Sequence, residues 1–369
     1  MSYSFSCTPA AAAAADSLKA RALQNQVTAM VATTSGAVIT GAIDSGIADG
    51  FSNSGTPPSI GPNGIFVGSN FAAEPQPSPT VRRADEAFSA LAYAGNAYGV
   101  PAYKVAPRVE REWNLWADIR GTGWKVNDTT GTGNDLRGSQ LNLTAGLGRK
   151  LNTDTLVGVV VGYESFKYDV AALAGSLKGQ GETIGGYFAK RFGTSLRFDA
   201  ALGWSNMNYN ATAGTATGSF TGSRWLATTG LTGTQRIAAF VVQPSAKLYM
   251  VWESQRAWTD SLGTLQADRK FSAGRTALGA QVVRPWAITN GWMVSPYAGL
   301  YGDWRFSTDN ALPTGTPVAN LKNGWSARVT SGLTASTLRG ANISLGGELG
   351  GLGATYKIWT GNVRAAVPF

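Results

Sequence analysis

The chain has 369 residues, 31 Lys and Arg against 22 Asp and Glu for a formal charge of +9, only 14% charged residues, 10% aromatics with 12 Trp, and 47 Gly. It has no His and one Cys, Cys7, which excludes Ser-His-Asp and Cys-His catalysis, HExxH zinc sites and any disulfide framework. The low charge and high Gly and aromatic content fit many short strands better than a helical bundle, and cations scattered singly, without a basic helix, argue against a nucleic-acid partner.

No signal-peptide pattern is visible at Met1, so the quoted chain is expected to begin inside a longer precursor or at a misplaced start. Residues 1–50 read as a helical segment: Asp16 precedes Leu23, Val27, Met30 and Val31 at helical spacing. Its uncharged stretch, residues 25–43, is rich in Thr, Ser and Gly, which makes it a poor membrane-spanning helix. Residues 51–83 form a Pro/Gly/Ser linker. Residues 84–110 hold a short helix, "ADEAFSALAYAG", with Asp85 and Glu86 in its first turn, and a tether.

From Trp113 onward the period changes to two. In "WNLWADIRG", Trp113, Leu115, Ala117 and Ile119 share one face and Asn114, Trp116, Asp118 and Arg120 the other. Twelve such segments follow one another, near 113–122, 138–148, 155–165, 181–191, 195–207, 221–233, 238–254, 272–284, 292–306, 324–336, 342–350 and 357–369. Connectors after the first, third, fifth, seventh and ninth are expected to be long and polar, and those after the even segments mostly shorter. The eleventh is short.

Alternation alone also fits a soluble sandwich. Three features favour a membrane barrel occupying residues 111–369. Segments of ten residues or more suffice to cross a bilayer at a tilt, and their number is even. Aromatics such as Tyr163, Trp204, Trp225, Trp252, Trp304 and Trp325 gather near segment ends. The polar face carries Asp118, Arg120, Arg197, Asp199, Lys247, Arg275, Arg328 and Arg364, which a dry core would not tolerate and a hydrated lumen would. These eight are the candidate pore-lining residues. The fold class is therefore all-β: a twelve-stranded antiparallel transmembrane barrel with an N-terminal helical segment.

The ordered set "WNLWADIRGTGW", "VVQPSAKLYMVWE", "GRTALGAQVV", "SPYAGLYGDW" and the terminal "VPF", with "DEAFSALAYAG" upstream, resembles the autotransporter β-domain, of the α-proteobacterial type, over residues 84–369. The resemblance implies a non-enzymatic outer-membrane translocator without cofactors that carries a helix in its pore and exports an N-terminal passenger. It implies as partners outer-membrane lipid and lipopolysaccharide, the barrel-assembly machinery and periplasmic chaperones, and a monomeric barrel. It further implies that the terminal strand, with Phe369, Val367, Ala365 and Val363 outward, is an assembly signal. No segment matches the family's self-cleavage site. A passive porin-like channel with an N-terminal plug is the alternative.

A twelve-stranded lumen should be roughly 10 Å wide, about the width of one helix. The segment nearer the first strand, with Asp85 and Glu86, is the expected plug helix because a short tether reaches the pore. Residues 16–49 are the second choice. The lumen cations either pair with Asp85 and Glu86, line an anion-preferring path, or pair with carboxylates on neighbouring strands.

Overall fold

The computed structural model describes residues 9–52, 59–61, 64–66, 111–126, 135–193, 195–288, 292–307, 324–337 and 340–369. Twelve long strands follow in chain order: β1 (Trp113–Val126), β2 (Leu136–Asn152), β3 (Thr155–Val170), β4 (Gly175–Phe192), β5 (Leu196–Ala213), β6 (Ala216–Gly233), β7 (Phe240–Gln255), β8 (Arg269–Val283), β9 (Trp292–Ser307), β10 (Gly324–Thr337), β11 (Asn342–Leu352) and β12 (Tyr356–Pro368). Each pairs antiparallel with the next, and β12 pairs back onto β1, so the sheet closes into a barrel without an edge. The last residue completes the seam: Trp113 N–H donates to the Phe369 carbonyl at 3.1 Å, and Phe369 N–H returns a bond to Trp113 at 2.9 Å.

The alternation read from sequence is the alternation of burial. In β1, Leu115, Ala117 and Ile119 face outward and are exposed, while Asn114, Trp116 and Asp118 are buried inside. Outward Leu143, Val161, Ile184, Leu202, Leu300 and Leu345 continue an exposed apolar belt around the wall. No water-soluble surface of this size would be stable, whereas lipid requires it. Trp204, Trp225 and Trp252 stand opposite one another on β5, β6 and β7 at one edge of the belt. Trp113 and Phe369 stand at the other end, where both ends of the strand array lie. The longest connectors, after β1, β7 and β9, lie at the opposite end, so the two ends are called periplasmic and extracellular, after the habit of outer-membrane barrels of carrying their long loops outside.

One expectation needs correction. The connectors after β3 and β5 are not long polar loops. They are a single turn of 3-10 helix, Ala171–Leu173, and a two-residue turn at Gly214, whose φ of +57° suits glycine. The residues read as loop extend the strands past the belt. On β5, outward Asn206, Asn208, Asn210 and Thr212 alternate with buried Met207, Tyr209, Ala211 and Ala213. Above the lipid the outward face meets water, so its side chains turn polar while the inner face stays apolar, and an apolar-out criterion ends the strand too early.

Inside the barrel runs one helix, α1 (Pro9–Ser52), of 44 residues, about 66 Å long at 1.5 Å per residue. The favoured plug placement is thereby corrected: the lumen holds the longer N-terminal segment, the second choice. The segment at 84–95, with Asp85 and Glu86, lies outside the described residues.

Candidate functional site: the plugged lumen

The helix has little amphipathic character because wall surrounds most of it. Toward the extracellular end Leu23, Val27, Met30 and Val31 are fully buried in one cluster with Trp124, Tyr168, Leu177, Tyr209 and Phe220 of the wall. Toward the periplasmic end Ile39, Ala42, Ile43 and Ile47 pack with Trp116, Leu156, Tyr187 and Leu226. The buried Leu, Val, Met and Ile side chains, four at the first end and three at the second, contribute about 1.5–3 kcal/mol apiece relative to exposure. Polar groups are matched across the gap: Trp124 Nε1 donates to Thr34 Oγ1 at 2.8 Å, Gln140 Nε2 to Ser35 Oγ at 2.8 Å, and Tyr249 Oη to the Ala32 carbonyl at 2.9 Å.

Glycines let the helix pass. A Cβ at Gly36 would collide with the Tyr249 ring, at Gly46 with the Trp116 indole, at Gly41 with the Arg120 guanidinium and at Gly50 with Leu156. A helical glycine costs close to 1 kcal/mol relative to alanine, so their presence marks the places where wall side chains need the space. Gly36→Leu is expected to weaken plug docking by about 1–3 kcal/mol through overpacking. In planar bilayers the variant should leak current that wild type does not, and adding Tyr249→Ala should reduce the leak. A variant as tight as wild type contradicts the fit.

The ends of the helix fix its direction. At the extracellular end Asp16 accepts bonds from the Thr215 N–H and hydroxyl, both at 2.8 Å, and pairs with Lys19. Ser17 and Gln24 bond to Thr264 and Gln255, and Arg269 donates to Thr28 Oγ1 at 2.6 Å. At the periplasmic end Asp49 pairs with Arg364 and accepts a bond from Asn342 Nδ2 at 3.1 Å. The N-terminus of α1 therefore lies at the end of the barrel opposite the one where the strand array begins and closes.

The hydrogen bond from Lys19 and those from Thr215 hold the half-buried Asp16 carboxyl down to about 2. A depressed carboxylate contributes its stabilisation above the ordinary value of about 3.9 and loses it as pH falls through the folded value. Amide protection at residues 12–20, taken relative to the intrinsic exchange rate at each pH, should fall between about pH 4 and 2, and less so in Asp16→Asn. A loss of protection centred at neutral pH would contradict this assignment.

All eight candidate pore-lining residues project inward, and they gather into separate ionic groups. Arg120 bonds to Asp118 on its own strand at 2.7 Å. Arg197 and Lys247 converge on Asp44 of α1, with Asp199 3.4 Å from Arg197. Arg364, buried at 3% exposure, joins Asp49 and donates to the Ala42 carbonyl at 3.0 Å. Arg275 and Arg328 meet Asp303 at 3.6 and 2.8 Å, and Arg328 also reaches Glu348 at 3.0 Å. Both pairing modes thus occur, with neighbouring strands and with a plug, the plug carboxylates being Asp44 and Asp49.

Sequence reasoning missed the most deeply buried group. Arg224 on β6 donates to Glu253 at 2.8 Å, to Glu164 at 2.8 Å and to Tyr209 Oη at 3.0 Å. Tyr209 in turn donates to Glu253 at 2.6 Å, and Gln140 Nε2 to Glu164 at 2.9 Å. The three charged side chains are essentially inaccessible. Alternation places each on the lumen face, but that they converge depends on the stagger between strands, which no single segment reports.

The plug does not fill the lumen evenly. It packs mainly against β1–β8 and β12. It leaves a cavity of about 540 Å³ along its flank, lined by Lys247 and Arg275 on β7 and β8 as well as by Tyr297, Tyr301, Arg328, Thr330 and Glu348 on β9–β11.

The Autotransporter beta-domain family profile matches residues 115–349, well over half of the chain. The chain belongs to the autotransporter β-domain family. Its fold is similar to the beta domain of the Bordetella autotransporter BrkA (18% identity, TM-score 0.57, covering 70% of this chain and 100% of that one). It is also similar to the translocator domain of NalP from Neisseria meningitidis (12%, 0.57, 79% and 97%) and the transport unit of AIDA-I from Escherichia coli (12%, 0.53, 76% and 97%). No curated protein sequence matches the chain. As an autotransporter translocator barrel the chain has the fold of bacterial outer-membrane proteins, and passenger carriage is the role the family implies.

Proposed function

We propose that this chain spans the bacterial outer membrane as a monomeric barrel and holds α1 as the segment left in the pore after whatever precedes it has reached the surface. The observation that carries this is the direction of α1, from Asp16 beside the extracellular Thr215 turn to Asp49 beside Arg364. A passive plug could lie either way, whereas a threaded chain whose barrel begins at the periplasmic end must run inward along its sequence. No reaction and no cofactor enter. An epitope placed before Pro9 should be stripped by protease on intact cells, while one in the turn between β2 and β3 should survive. Protection of the first epitope together with cleavage of one at Thr215 would overturn the reading.

The outward set Val363, Ala365, Val367 and Phe369 is exposed on β12. We propose that it is read by the barrel-assembly machinery, after periplasmic chaperones have kept the strand unpaired. Deleting Phe369 should lower the yield of folded barrel in cells several-fold while the barrel refolded in detergent keeps its melting temperature. An equal loss in both would make Phe369 a seam and interface residue only.

A further inference from the structure

The outer surface of the barrel carries a row of cations that the translocation reading leaves unused. Outward positions on β1 run from Ile119 through Gly121 and Gly123 to Lys125. On β12 they run from Val363 through Gly361 and Trp359 to Lys357. On β2 they run from Leu143 and Leu141 through Ser139 to Arg137. Each cation therefore lies on the extracellular side of the last apolar residue of its strand. Lys125 stands directly opposite Lys357 on one neighbour and Arg137 on the other. Two strands further on, Lys167 stands opposite Lys178.

Like charges directly opposite in a sheet repel and destabilise the pairing. Nothing among the described residues forms an ion pair with Lys125, Arg137, Lys178 or Lys357. Asp169, opposite Arg137, pairs with Lys167 at 3.5 Å instead. The periplasmic rim is different: there Arg149 pairs with Glu112 at 3.2 Å and lies over Trp113, and Arg284 lies over Phe240 and Trp286. Among the described residues, Lys125, Arg137, Lys178 and Lys357 have no carboxylate or ring partner of that kind.

A groove of about 880 Å³ runs beneath this row. Gly121 and Gly123 leave its floor free of side chains, Trp359 lies across Gly123, and Lys167 and Lys178 stand at the far side. The groove opens downward onto Leu141 and the apolar belt. Its position therefore joins the apolar belt to the row of cations. Arg supplies a planar fork for a phosphate and Lys compact charges, and basic clusters beside a bilayer hold anionic head groups.

We propose that this face binds the phosphorylated head group of the outer-leaflet glycolipid, lipopolysaccharide, with Lys125, Arg137 and Lys357 on one phosphate and Lys167 and Lys178 reaching a second. The assignment of outer leaflet rests on the orientation proposed above, while the site itself rests only on the row and the groove.

Binding of bis-phosphorylated lipid A to the full chain, folded in detergent, tests the site. The variant Lys125→Gln/Arg137→Gln/Lys357→Gln should bind at least tenfold more weakly. The charge-keeping variant Lys125→Arg/Arg137→Lys/Lys357→Arg should stay within about threefold of wild type, and dephosphorylated lipid A should bind wild type as weakly as the neutral variant binds the intact lipid. Heat-modifiable migration checks that each variant is folded, and these side chains project away from the core, so folding should persist. Equal binding by the folded neutral variant, or equal binding of the dephosphorylated lipid, overturns the proposal. Complete displacement of the lipid by an equal concentration of inorganic phosphate would make it a free-anion site and overturn the lipid assignment. If the site holds but surface protease accessibility shows the reverse orientation, the orientation fails and the phosphate chemistry stands.

Discussion

Removing residues 9–52 should turn a closed barrel into a steady open pore. In planar bilayers the full chain should pass little current, confined to the cavity beside the helix, while the truncated barrel should conduct continuously. The magnitude follows from what α1 occupies. A helix with side chains is about 10–12 Å across, and it packs along eight consecutive strands and β12, leaving only the 540 Å³ flank. The wall should survive the loss, because every strand keeps both neighbours. The exposed lumen would then present Arg197, Lys247 and Arg364 without Asp44 and Asp49, so the open pore should favour anions. Equal conductance with and without α1 would mean that the helix leaves the lumen spontaneously. A cation-selective pore would mean that the lumen charges are neutralised in some other way.

Arg224→Met is expected to be the most damaging single substitution in the wall. It leaves Glu164 and Glu253 without their shared counter-charge in a fully buried site, at a cost of about 3–5 kcal/mol, the usual penalty for breaking a buried pair from one side. The triple change Glu164→Gln/Arg224→Met/Glu253→Gln removes all three charges and should recover most of that loss, since a buried ionic group and an uncharged replacement often differ little. Urea unfolding of the refolded barrel, followed by loss of heat-modifiable migration, measures both. A loss below about 1 kcal/mol for Arg224→Met would place water in the network, and a triple no better than the single would show that packing, not charge, holds the site.

The wall was largely legible in the sequence because its two faces meet different solvents. Lipid outside and a polar lumen inside write a period of two over each strand, and the twelve segments fall within the twelve observed strands to within a few residues. The reading failed where one solvent changes. Beyond the belt, Asn208 to Thr212 keep the period but lose the apolar face, and strand was taken for loop. The lumen residues were legible one at a time from alternation, Arg364 and Lys247 among them. Their partners were not, because Asp44 and Asp49 arrive from a helix distant in sequence. The glycines at 36, 41 and 46 read as low helix propensity until Tyr249, Arg120 and Trp116 give each a reason.

The central claim is that one face of each ribbon touches lipid and the other faces an interior filled by α1. Spin labels at single cysteines along β5, residues 198–212, in a Cys7→Ser background reconstituted in vesicles, test it most directly. Oxygen collisions should dominate at 198, 200, 202 and 204, a water-soluble nickel chelate should dominate at 206, 208, 210 and 212, and the odd positions should be shielded from both. Chelate access at 200 and 202, or oxygen access at 201 and 203, would contradict the account.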